Sequence, residues 1–374
     1  MKLIYLLTTA ILGLTLAGCT TEELDSLTNT QQNAIGFSAL NTHVGRALLI
    51  DNSNIKNYDF NVCAFTKDGK TFMGSDDYFG GANIAFSNNK WNYTSPSDMR
   101  YWPTEENPLD FYAVSPASKQ NYTYFGWQFT PESRTIIYVA SNEYYNIIDQ
   151  QEEEKYENID VLYAIAEDMT KSKTTNGIVQ LKFKHALAQV IFKAKTTLQN
   201  IEVDISSIKI CNAKRSGIFT LSDSKWTMVN QVDPNTGKPL GYYDPVAIQD
   251  ASNIIVNSIT DAKDITSSKP LLVIPQELTA WDLTTGAGDN QTQSCLEIMC
   301  KIKQNGKYVH GDESNYAELY MPFSADWQPG KRYIYTLIFG GGYDKDGNPI
   351  LSPINFEAST EGWVESTSTI NANE

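Results

Sequence analysis

The sequence predicts an all-β fold built of antiparallel sandwiches, on three observations. Aromatic residues make up 11% of the 374 residues, with 21 Tyr, and Thr, Ile and Val fall in short runs, a mix that suits a pleated, half-buried surface. Apolar and polar residues alternate over short windows along most of the chain. Turn pairs such as Asp68-Gly69 and Asn305-Gly306 separate those windows, and both pairs accept the positive φ of tight hairpins. Hydrophobic residues at 41% and charged residues at 20% fit a packed body rather than disorder.

The first element is not part of that body. Lys2 is followed by an apolar run, Leu3 to Leu16, that ends in Leu16-Ala17-Gly18-Cys19. A basic start, a short apolar segment and small residues before a cut describe a secretory signal peptide, residues 1–18. The run is too short for a comfortable membrane span. Cys19 directly after Leu-Ala-Gly is a site for lipid on the thiol and the new N-terminus. Residues 20–33 are polar and acidic, as in a solvated tether. A first strand places Ile35, Phe37 and Ala39 on one face, and a polar segment, 41–46, follows it and ends in Arg46.

Strand after strand then follows. Tyr58, Phe60, Val62 and Ala64 alternate with Asp59, Asn61 and Cys63. Ile136 to Val139 and Val161 to Ala166 are further apolar runs. Val179, Leu181 and Phe183 share one parity, and Val190, Phe192 and Ala194 share the other, so the chain must turn or bulge around residues 185–188. Leu296, Ile298, Cys300 and Ile302 alternate with Glu297, Met299, Lys301 and Lys303. Tyr333 to Phe339 is apolar on both parities, as in a central buried strand. Ser141 to Tyr156 is the best helical stretch and, with Glu152, Glu153 and Glu154, reads as a solvated loop or short surface helix. The polar stretch 171–177 suggests a domain boundary near residue 178, dividing the body into residues 47–178 and 179–374.

The net charge is −15. A body this acidic makes nucleic acid and anionic lipid poor partners. Cys63, Cys211, Cys295 and Cys300 read as small buried hydrophobes, since a chain of this size has a core without disulfides. Cys295 and Cys300 have opposite parity and belong on opposite faces of one strand.

The sequence carries no recognisable constellation for catalysis or metal binding. His43, His185 and His310 are the three histidines, and none has a second histidine or a cysteine at ligand spacing. No nucleophile elbow or phosphate loop occurs, so no catalytic, metal or cofactor site is assigned. His185, at a strand exit, reads as a hydrogen-bonded structural residue. The oxygen-rich turns 344–349 and 233–239 lack the spacing of a calcium loop and read as ordinary turns. Tyr101, Trp102, Phe111, Tyr112, Tyr122, Tyr124, Phe125 and Trp127 form an aromatic group. Core packing is the preferred reading of these residues, and stacking on sugar rings is the competing one.

Taken in order, several patches resemble the fimbrillin family, the type V pilins of Bacteroidales. They are the lipobox, 34–37 with Gly45-Arg46-Ala47, Arg100-Tyr101-Trp102-Pro103 with 109–113, 160–164, 179–190, 271–276, and Ile354-Asn355-Phe356 with Gly362-Trp363. The resemblance implies two tandem transthyretin-like β-sandwiches. It implies a fimbrial subunit for adhesion and biofilm formation, exported as a lipidated outer-membrane precursor and then found in the surface fimbrium. It further implies that an arginine-specific protease cuts between Arg46 and Ala47, so that residues 19–46 leave as a propeptide. The implied partners are other copies of the chain and tip or anchor subunits.

Stripping a strand from a sheet bares backbone groups and an apolar groove that another chain's strand can fill. In the family the donor comes from the C-terminal region, here about 352–370, with Ile354, Phe356, Ala358, Trp363, Val364 and Ile370 as anchors. The alternatives are a lipid-anchored surface glycan-binding protein and a tip or anchor component of the fimbria.

Overall fold

The computed structural model describes residues 33–41, 50–74, 80–117, 126–139, 160–229, 243–247, 254–266, 271–287, 292–340, 342–351, 355–362 and 367–370. The fold is all-β: strands joined by turns, with short 3-10 segments at Ile55–Asn57, Pro96–Asp98 and Lys171–Lys173. Among the described residues, no helix is long and apolar enough to cross a membrane.

The first sheet runs in space as Gly36–Asn41, Ile178–His185, Leu162–Met169, Leu109–Ser115, Phe60–Thr66, Ala82–Ser87 and Lys90–Tyr93, with Thr71–Met73 also paired to Phe60–Thr66. Its neighbours are antiparallel except the first pair, in which Gly36–Asn41 runs parallel to Ile178–His185. A four-stranded sheet of Lys225–Met228, Ser216–Thr220, Thr135–Val139 and Gly126–Thr130 covers one face. There the Tyr163 and Phe219 rings meet at 4.7 Å, and the Tyr163 hydroxyl donates to Ser224 Oγ at 3.0 Å. The other face packs a separate apolar layer that includes Phe60, Phe111, Phe183, Ile50, Ile55 and Trp102.

Having cover on both faces explains one departure from simple alternation. Phe60 through Phe65 are all buried: Val62 and Ala64 belong to one layer and Cys63 and Phe65 to the other. The Asp68-Gly69 hairpin closes as expected, with Gly69 at φ +83° and its amide donating to Thr66 O at 2.9 Å.

Two more sheets form a second stack. One orders Lys263–Asp264, Ala188–Thr196, Lys331–Phe339, Asn355–Gly362 and Thr367–Ile370, with Leu271–Val273 also on Ala188–Thr196. The other is built on Ile201–Ile210, Cys295–Gln304 and Ala317–Pro322. Phe192, Phe323 and Tyr335 fill the space between them, with the Phe323 and Tyr335 rings 4.9 Å apart. Trp327 is buried there and its Nε1 donates to the Tyr335 hydroxyl at 3.0 Å. The Asn305-Gly306 turn has φ of +52° and +77°, the double-positive geometry of a two-residue hairpin.

The parity switch around residue 186 is where the chain changes sheets. Val179, Leu181, Phe183 and His185 point inward in the first sheet. After Ala186 and Leu187 the chain re-enters as Ala188–Thr196 of the second stack, with Val190, Phe192 and Ala194 inward. Hydrogen bonding therefore continues across residue 178: Ile178–His185 pairs with Gly36–Asn41 and Leu162–Met169. Ser216–Thr220 likewise pairs with Thr135–Val139.

Tyr333 to Phe339 departs from the expected two-sided burial. The strand is central, but only Tyr333, Tyr335, Leu337 and Phe339 are buried, and the intervening side chains are half-buried. Cys295 and Cys300 do face opposite sides. Cys300 lies in the large core, whereas Cys295 sits with Cys211, Trp281 and Tyr320 in a small satellite cluster. Ser141 to Tyr156 and the 233–239 turn lie outside the described residues.

Candidate functional site: an edge strand in an apolar groove

The first strand sits in a groove lined by residues from across the sequence. Gly36 pairs with Ile178 and the ladder continues to Asn41 opposite Phe183. Ile35, Phe37 and Ala39 point inward and are 1%, 5% and 8% exposed, whereas Leu40 is 44% exposed. The Phe37 ring meets Phe60 edge-on at 6.1 Å, Tyr93 at 5.9 Å and Phe111 at 6.0 Å. These are favourable edge-to-face separations. Val179, Leu181 and Phe183, alternating along the neighbouring strand, belong to the same layer.

The other flank of the strand is held as well. Ile35 N donates to Arg100 O and Trp102 N to Asn33 O, both at 2.9 Å. These bonds frame an antiparallel bridge between Ala34 and Tyr101. The Tyr93 hydroxyl donates to Ile35 O at 2.9 Å, and burial pushes that phenol's pKa up. Lys171 Nζ reaches Asn33 Oδ1. Gly36 N donates to Gly177 O at 3.1 Å, and the same carbonyl accepts from Trp102 Nε1 at 3.0 Å. Gly177 itself has φ +76°, and a Cβ there would lie 3.2 Å from Trp102 Nε1 and 3.3 Å from Ala34 O. The Asn176-Gly177 turn thus delivers one carbonyl to two donors while keeping the groove entrance clear.

Burying an Ile or Phe side chain is worth about 1.5–3 kcal/mol. Ile35 and Phe37 together therefore contribute roughly 3–6 kcal/mol to seating the strand. Without residues 33–41, the groove would expose Val179, Leu181 and Phe183 and one edge of Ile178–His185. An unpaired edge beside empty apolar pockets is a template for another strand. The outer side of that edge is basic: Lys182 and Lys184 are exposed, alternating with the buried residues.

Of the residues singled out in the sequence, Ile35, Phe37 and Ala39 fall on this groove. Cys19, Arg46 and Ala47 lie outside the described residues, as do Ile354, Trp363 and Val364. The described parts of the C-terminal segment, 355–362 and 367–370, pair elsewhere than in the groove. Asn355–Gly362 pairs antiparallel with Lys331–Phe339, setting Phe356 opposite Leu337 and Ala358 opposite Tyr335. Thr367–Ile370 pairs beyond it, with Ile370 opposite Ala358. Ala358 is half-buried against the core. The parallel pairing with Ile178–His185 and the Tyr93 and Arg100–Trp102 flank were not read from the sequence. The Asn176-Gly177 pair was the available turn signal.

The remaining candidates have structural roles. His185 Nδ1 and Asp160 Oδ2 are 2.8 Å apart and both side chains are buried, as expected of a hydrogen-bonded strand-exit residue. Trp102, Phe111, Tyr112 and Trp127 are buried, and Tyr101, at 44% exposed, is not. Tyr122, Tyr124 and Phe125 lie outside the described residues. In the 344–349 turn the Asp344 carboxylate accepts from the amides of Asp346 and Asn348, both at 2.9 Å. The Asn348 side-chain amide, which also donates to it, and these backbone bonds hold its pKa below the usual carboxylate range.

A family model described as fimbrillin-like matches residues 46–363. The chain therefore belongs to the fimbrillin-like family, which places it among the fimbrial structural proteins of the cell surface. A search of the curated proteins found no match. Among solved structures, the chain is similar to a protein from Bacteroides uniformis ATCC 8492 assigned to cell adhesion, at 12% identity, with a TM-score of 0.44, covering 88% of this chain and 99% of that one. It is similar to the tip fimbrial protein Mfa3 from Porphyromonas gingivalis, crystallised with a C-terminal truncation, at 11% identity and a TM-score of 0.39, over 82% and 94% of the two chains. A fimbrial assembly protein from Parabacteroides distasonis ATCC 8503 aligns at 12% identity and a TM-score of 0.40, over 90% and 99%.

Proposed function

We propose that this chain is a polymerising fimbrial subunit that exchanges its first strand for a strand donated by a neighbour, and that the fimbria serves adhesion and biofilm formation. Cys19 carries lipid and holds the exported precursor at the outer membrane. An arginine-specific protease cuts between Arg46 and Ala47 and frees residues 19–46, the first strand among them. The C-terminal segment of another copy, with anchors among Ile354, Phe356, Ala358, Trp363, Val364 and Ile370, then fills the groove. Its further partners are the tip and anchor subunits of the fimbria.

One observation carries this reading. The strand that would leave is an edge strand with three inward side chains in one apolar groove, and Arg46 follows it by a few residues in the sequence. The competing glycan-binding reading draws on an aromatic group of which Trp102, Phe111, Tyr112 and Trp127 are committed to packing.

Arg46→Ala tests the reading. The variant should keep its lipidated N-terminus by mass spectrometry and stay monomeric after protease treatment, while the unaltered chain starts at Ala47 and forms ladders on mild gels. Normal fimbriae from Arg46→Ala would overturn the proposal.

A further inference from the structure

The first strand and the C-terminal segment share a residue pattern. Residues 35–39 read Ile-Gly-Phe-Ser-Ala, and residues 354–358 read Ile-Asn-Phe-Glu-Ala. The same three side-chain types recur at the same spacing, and in the first strand these are the ones that point inward. We propose that a neighbour's 354–361 segment enters the vacated groove in the same direction as the leaving strand, with Ile354, Phe356 and Ala358 taking the pockets of Ile35, Phe37 and Ala39. This proposal rests on the strand-exchange reading above and adds its register and polarity.

Direction follows from pocket size. A strand inserted the opposite way keeps Phe356 central but puts Ala358 in the Ile35 pocket and Ile354 in the Ala39 pocket. One site is then underfilled and the other overfilled, and packed cores resist both. A parallel donor also repeats the strand direction already present, since Gly36–Asn41 runs parallel to Ile178–His185.

Charge provides a second, independent argument. In the proposed register Glu357 takes the place of Ser38, opposite Gln180 and diagonal to Lys182. Continuing the ladder one residue past the pair of Asn41 with Phe183 brings Glu361 opposite Lys184. Both lysines are on the exposed side of their strand, and opposite charges on neighbouring strands attract. The leaving strand has Ser38 at the first place and Thr42 at the second, so the donor matches this basic edge better than the strand it replaces. In the reversed orientation Glu357 falls beside Ile178, and Glu361 passes beyond the end of the ladder.

Pro353 fits the same register. It takes the place of Ala34, where the bridge to Tyr101 is bonded through the amides of Ile35 and Trp102. A proline at that place therefore removes no ladder bond.

Cysteine trapping distinguishes the orientations. The proposed register puts Ser359 opposite Lys182 of the next copy, and the reversed one puts Glu357 opposite Ile178. Two double variants of the full precursor, Ser359→Cys with Lys182→Cys and Glu357→Cys with Ile178→Cys, are cut with an arginine-specific protease and oxidised. Covalent ladders from the first pair and none from the second are expected. Ladders from the second pair alone would overturn the polarity while leaving strand exchange intact. Polymers that neither pair locks would overturn the register. Failure of the unaltered, cleaved chain to polymerise would remove the exchange reading itself. A charge swap checks the second argument: Lys184→Glu should slow assembly several-fold at low salt, and adding Glu361→Lys should restore it. Loss without rescue would contradict the placement of Glu361.

Discussion

At the scale of single residues, the molecule depends on a few buried polar groups and the neighbours that hold them. Asp160 and His185 are the clearest case: the carboxylate sits 2.8 Å from the imidazole with both side chains buried, and Ile50 N also donates to it at 3.4 Å. His185→Ala removes that partner from a buried carboxyl oxygen, a change that typically costs about 1–3 kcal/mol. A denaturant titration should show the midpoint falling with little change in slope. An unchanged midpoint would mean the pair contributes nothing net. The cysteines make a different prediction. Burial pushes the thiols of Cys63 and Cys300 up, and Cys211 and Cys295 are buried too. A thiol reagent should therefore leave all four of these cysteines unmodified in the native protein at neutral pH, and react with them after unfolding. Fast native labelling of any of them would contradict the packing described here.

At the scale of elements, the edge strand and its two flanks behave as one unit. Phe37 supplies the largest side chain of the strand and touches three rings. Phe37→Ala should weaken its seating by about 3–5 kcal/mol, read as faster hydrogen exchange at Ile35 and Gly36 while the second stack stays protected. Gly177→Ala acts from the opposite side. At φ +76° a Cβ is strained by about 1–2 kcal/mol and presses on Trp102 and Ala34. The same two amides should exchange faster, and unchanged exchange would show that the turn does not govern the strand. Much of this element was legible in advance. Ile35, Phe37 and Ala39 announced their face by alternation, as did Val179, Leu181 and Phe183, because a strand with one buried side has a strict period of two. The parity break after Phe183 announced the passage between sheets. What alternation could not give was the partner: a parallel neighbour well over a hundred residues away leaves no local trace, and neither does the Tyr93 hydroxyl that caps Ile35. Phe60–Thr66 and Tyr333–Phe339 show the same limit. How deeply a face is buried depends on which sheet comes to lie over it, and that is a property of the whole chain.

At the scale of the whole molecule, the C-terminal segment has to satisfy two conditions. In the single chain it closes the edge of its own sheet through Asn355–Gly362 on Lys331–Phe339, and in the proposed fibre the same residues serve a neighbour. Deleting residues 352–374 separates the two roles. It uncovers one edge of Lys331–Phe339, but that strand remains bonded in parallel to Ala188–Thr196 along its other edge. Its buried Tyr335 and Leu337 still pack with Phe192 and Phe323. The truncated precursor should therefore fold, with unchanged far-ultraviolet circular dichroism and a lower unfolding temperature. It should still be cut at Arg46 and should then stay monomeric by sedimentation, because it keeps an acceptor groove and has no donor. Mixing it with the cleaved, unaltered chain sharpens the outcome. A subunit with a groove and no donor can accept a neighbour's strand but cannot extend the chain, so it should shorten the polymers in proportion to its share. Full-length polymers from the truncated chain alone would place the donor elsewhere in the molecule.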